Sequence, residues 1–124
     1  MKYFSLAFVV VAAAGCCKEP TAKPLSPQEV YIQEATVLEH LQNEYDRIIR
    51  ERNEEEKRIA LFRKEVQYQE KAGNKAEAET AQKAVDLSTK NFQEANQRLL
   101  SKVPPIARQE VRVDDAKKEL GLIE

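Results

Sequence analysis

The sequence predicts an all-α protein, an antiparallel coiled-coil helical hairpin with a shorter third helix at its C-terminal end. Three observations predict it. Apolar side chains recur at steps of three and four, the spacing that keeps one stripe of a helix turned to a partner helix. No glycine or proline interrupts the chain between Pro27 and Gly73. At Gly73 the phase of the apolar stripe resets, which a single continuous rod would not require.

Ahead of the helices, Lys2 and an uncharged run from Tyr3 to Ala14 have the charge and length of a secretory signal. A membrane-spanning helix needs about 20 apolar residues, and Lys18, Glu19 and Pro20 end this run sooner. The run closes on Ala13-Ala14-Gly15-Cys16, which resembles the lipobox of bacterial lipoproteins, a resemblance that covers residues 1–16 only. Ala14 and Gly15 are the small side chains that family has before its cysteine, whereas Ala13 stands where Leu is usual. The resemblance implies that residues 1–15 are a signal peptide cut between Gly15 and Cys16. It also implies that the Cys16 thiol carries a diacylglycerol with palmitate-type chains, Cys17 being the alternative acceptor. Two or more acyl chains anchor a protein stably where one holds only marginally.

Cys17, and not Asp, follows the proposed acylated residue. By analogy with enteric bacteria this implies the outer membrane, on its periplasmic side. In a Gram-positive cell the same signal implies the extracytoplasmic face of the plasma membrane. A metal site at Cys16-Cys17 would need further Cys or His ligands, and the chain offers only His40.

Residues 16–26 hold the cysteine and a tether in which Pro20 and Pro24 disfavour helix. Ser26-Pro27-Gln28-Glu29 then supplies a capping serine, a proline at the first helical position and a glutamate placed to bond back to the cap. In helix one the seam is Leu38, Leu41, Tyr45 and Ile48, then Ile59, Phe62 and Val66. Arg52 and Glu55 fall on the seam between these groups, a polar layer of the kind that fixes register at a cost in stability.

Continued straight past Gly73, that seam would land on Thr80, Lys83, Leu87, Lys90, Glu94 and Gln97, nearly all polar. The apolar seam of helix two is instead Ala78, Ala81, Val85, Ser88, Phe92, Ala95 and Leu99. Gly73 suits a left-handed C-cap, and Asn74 with Glu77 resembles a second capping box. The hairpin therefore spans 27–103 with its turn at 72–74, and mirror pairing about Gly73 sets Leu99 near Ile48 and Phe92 near Arg52 and Glu55. A cation–π contact is expected there. Acid-first pairs four apart (Asp46/Arg50, Glu54/Arg58, Glu79/Lys83, Asp86/Lys90, Glu94/Arg98) are in the favourable helical order and read as a solvated face.

Pro104-Pro105 is expected to end helix two, leaving residues 28–42 of helix one without a partner. Ile106, Val113 and Leu120 recur every seven residues, with Gly121 as a cap. They predict that 104–124 is a helical segment packing back on helix one, although Val111-Arg112-Val113 also fits a short strand.

Chemistry is scarce. His40 is the only histidine and stands on a charged helix, and the glycines at 15, 73 and 121 make no phosphate-binding loop. The expectation is no enzyme, no cofactor and no metal site. A net charge of −1 gives no basic face for nucleic acid. The composition instead suits a non-catalytic, membrane-anchored envelope lipoprotein whose hairpin meets an envelope protein partner or forms a homo-oligomer. One alternative is a structural cell-wall spacer, similar in plan to the murein lipoprotein of Gram-negative bacteria, although that family's C-terminal lysine is replaced here by Ile123-Glu124. Another is an adaptor of an envelope complex, resembling the hairpins of periplasmic membrane-fusion proteins without their β-rich flanking halves. If Cys16 is held at a membrane, the Gly73 turn is the distal tip, and contacts away from the membrane are expected near residues 65–82.

Overall fold

A computed structural model describes residues 23–124, so the expectations for Gly15, Cys16 and Cys17 lie outside the described residues. Two α-helices of 45 residues each, α1 (Pro27–Lys71) and α2 (Lys75–Glu119), pack against each other, and there is no strand among the described residues. Each helix is about 67 Å long at 1.5 Å per residue.

Helix α1 starts as its sequence dictates. Ser26 Oγ accepts from the Glu29 amide at 3.2 Å, and the Ser26 amide donates to Glu29 Oε2 at 2.7 Å, closing a reciprocal capping box with Pro27 at the first turn. Its C-terminus is a Schellman motif. The Asn74 amide reaches Gln69 O at 2.9 Å and the Gly73 amide reaches Glu70 O at 3.1 Å. Gly73 holds the left-handed conformation this demands, with φ of +76°. Asn74 is the N-cap residue of α2, but the capping box expected from Asn74 and Glu77 is absent. Its side chain makes no cap hydrogen bond and instead donates to Gln69 Oε1 at 2.8 Å, across the turn.

The two seams interlock along the whole length of the hairpin. Along α2 and its C-cap, Ala78, Val85, Phe92, Leu99, Ile106, Val113 and Leu120 stand seven apart and are all buried or half-buried. The second column, through Ala81, Ser88, Ala95, Lys102, Gln109 and Ala116, is likewise turned inward. Ile48, 2% exposed, is the most buried large side chain; it packs with Ala95 and Leu99, flanked by Tyr45 and Ile49. Small side chains on α2 thus receive large ones from α1, which lets the helices approach closely.

The expected break at Pro104-Pro105 does not occur, and the third helix is not a separate element. Residues 104–119 continue α2, and Val111-Arg112-Val113 is helical. The prolines remove the amides that would bond to the carbonyls of Leu100 and Ser101. Those two residues are exposed, so water can satisfy the freed oxygens. On either side the helix is pinned to α1 by buried groups, Leu99 before the prolines and Gln109 and Val113 after them. Because Leu99 and Ile106 are seven apart, the seam crosses the prolines without a change of phase. The segment does cover the basal part of α1: Gln109 Nε2 donates to Glu34 O at 2.9 Å and to the Glu34 carboxylate.

Candidate functional site

Three regions of the rod carry polar or exposed groups that packing alone does not account for. In the basal half, charged rungs join the helices. Lys102 Nζ lies 2.9 Å from Glu44 Oε2, and Arg98 Nη2 lies 2.6 Å from Glu51 Oε2. The hydrogen bond and charge of Lys102 hold the Glu44 carboxyl below its ordinary value, with smaller help from His40 and Arg47. Both rungs join residues nearly equidistant from Gly73, and that mirror rule was the sequence signal for them.

None of the five acid-first pairs expected on the helix surfaces forms. Arg58 instead meets Glu55, three residues before it, at 2.6 Å, Lys90 meets Glu94 at 4.0 Å, and Arg98 crosses to the other helix. Long exposed side chains choose among several carboxylates of nearly equal energy, so a spacing rule worth a few tenths of a kcal/mol does not decide the partner.

At mid-rod, Arg52 donates to its neighbour Asn53 at 3.2 Å, while Phe92 is half-buried. Glu55 Oε1 is held by Arg58, but its Oε2 is buried without a hydrogen-bond partner. His40 stands out in solvent with Glu44 Oε1 at 3.9 Å. No carboxylate or thiol lies near enough to build a catalytic arrangement with it among the described residues beyond that one glutamate. No group of three or more metal-ligating side chains occurs there either.

The third region is the tip. Lys71 and Lys75 flank the turn, both exposed. The seam of α2 here is alanine, Ala78 and Ala81, against Val66 and Phe62 of α1, and small residues leave an open groove on each side. One groove lies between Val66, Glu70, Ala78 and Gln82, the other between Phe62, Glu65, Thr80 and Ala84. Leu61 and Tyr68 stand beside them, 64% and 66% exposed. The arrangement offers a shallow, partly apolar surface on either side of the tip.

No described helix is long and apolar enough to cross a membrane. No protein-family model matches this chain, and neither a curated protein nor a solved structure is significantly similar to it.

Proposed function

We propose that this chain is a non-catalytic, membrane-anchored envelope lipoprotein that presents its helical hairpin as a binding element for an envelope protein or for further copies of itself. The observation that carries the reading is the run Ala13-Ala14-Gly15-Cys16 placed, after a short proline-containing tether, directly ahead of a two-helix rod. A rod of this kind buries only one seam and has no chamber that excludes water, so its surface is what it has to offer. With Cys16 held at a membrane, α1 leads outward and the Gly73 turn is the far end.

Radiolabelled palmitate tests the anchor: it enters the wild-type chain and is lost from Cys16→Ser. Equal labelling of the two would transfer the lipid to Cys17, and labelling of neither would remove the anchor from the account. For the binding role, photo-cross-linkers at Lys71 and Lys75 are expected to trap one defined envelope protein. Adducts with the chain itself alone would leave self-assembly as the role.

A further inference from the structure

We propose that the outward face of α2 around Pro104 and Pro105 is a docking site for a basic amphipathic helix of a partner protein. Leu100, Val103, Pro104, Ala107 and Val111 step along α2 by three, one, three and four residues and fall within one stripe of the helix. This stripe lies outside the seam formed by Leu99, Ile106 and Val113. Its large side chains are open to solvent, Leu100 at 72%, Val111 at 60% and Val103 at 49%. Between Gln97 and Asp114 the stripe holds no charged side chain. Scattered exposed leucines need no explanation, but a helix with a second continuous apolar face is one that a further element covers.

The border of the stripe states what that element carries. Asp46 and Glu110 line a groove with Tyr45, Val103, Ile106 and Ala107, and neither carboxylate is paired with a cation among the described residues. The carbonyls of Leu100 and Ser101, on the exposed side, have lost their helical donors to the prolines. On the side that faces α1 the charged border is therefore acidic, whereas the opposite border carries Arg108. An apolar floor edged on its α1 side by two carboxylates is complementary to an apolar helix face that carries Lys or Arg along that side. A second copy docking through the same face would set carboxylates against carboxylates across a two-fold axis.

The inference rests on the reading of the hairpin as a binding element and makes no use of the lipid. It adds a second surface, in the basal half, to the tip. Failure of palmitate labelling leaves it standing, and its own failure leaves a partner trapped at Lys71 or Lys75 unaffected.

The test uses the full-length chain and a fluorescein-labelled helical peptide with Leu at i, i+3, i+4 and i+7 bordered by Lys. A peptide of the same pattern bordered by Glu is the control. The Lys-bordered peptide is expected to bind. Its affinity falls about tenfold or more in Leu100→Gln/Val111→Gln, as expected for loss of central apolar anchors, and falls again in Asp46→Asn/Glu110→Gln and with added salt. Circular dichroism of both double variants should match the wild type, because the altered side chains are at the surface. The tip variant Leu61→Gln should bind as wild type. Equal binding of both peptides, or binding indifferent to Leu100 and Val111, would overturn the proposal. So would a homodimer, or binding to vesicles of phosphatidylglycerol, that is lost in Leu100→Gln/Val111→Gln.

Discussion

At Gly73 the backbone has a positive φ, and nothing lies within 4 Å of the place where a Cβ would stand. A side chain there meets no neighbour, so the cost of Gly73→Ala is conformational alone, about 1–2 kcal/mol. Thermal melting should show a fall of several degrees for Gly73→Ala and a smaller one for Gly73→Asn, since asparagine tolerates the left-handed region better. An unchanged melting temperature for the alanine variant would show that the turn does not hold this conformation. The Glu44 and Lys102 rung gives a pH dependence whose sign follows from the lowered acidity of Glu44. The unfolded carboxyl titrates near its ordinary value of 4.5, so the rung contributes fully above that value and is lost as pH falls through the lower, folded value. The difference in melting temperature between wild type and Lys102→Met should be full near about pH 6 and shrink toward about pH 3. A difference that stays constant across this range would remove the rung from the account.

Helix α2 shows how packing overrides a local rule. A proline inside an isolated helix costs about 3 kcal/mol or more, and two in succession read as a stop. Yet the column Phe92, Leu99, Ile106, Val113, Leu120 keeps its seven-residue step across them, and all five side chains are turned to α1. That column was legible in the sequence. Its last three members were enough to predict helix and its placement on the basal part of α1, and the step from Leu99 to Ile106 was the clue that the helix does not break. The phase reset at Gly73, the start at Ser26 and the pairing of Leu99 with Ile48 were legible for the same reason, because each rests on a strong preference with few competitors. The ion pairs along each helix surface were not, because each long side chain reaches several partners, in its own helix or across the hairpin, that differ little in energy. Pro104→Ala/Pro105→Ala restores two amides to the ladder and should raise the melting temperature, by an amount that reports the strain the packing now absorbs. A lower melting temperature would mean that the prolines are required by the packing and not merely tolerated.

The described residues form a rod with one narrow seam. Of the candidate sites, the tip was visible in advance because Gly73 and the orientation implied by Cys16 point to it. The apolar stripe on α2 was hidden, since Leu100, Val103 and Val111 could be told from core residues only after the seam had been assigned to Leu99, Ile106 and Val113. That stripe, the Gln109 contact with Glu34 and the reach of the binding surface along the rod all depend on α2 passing through the prolines as one helix. The most direct test places nitroxide labels on unnatural amino acids at Lys75 and Lys118, both exposed, which leaves Cys16 untouched, and measures their separation by pulsed dipolar spectroscopy. One distance distribution near about 65 Å is the expected result for a continuous helix at 1.5 Å per residue. A distribution centred below about 50 Å, as a chain folding back at Pro104 would produce at the same rise per residue, would contradict the account.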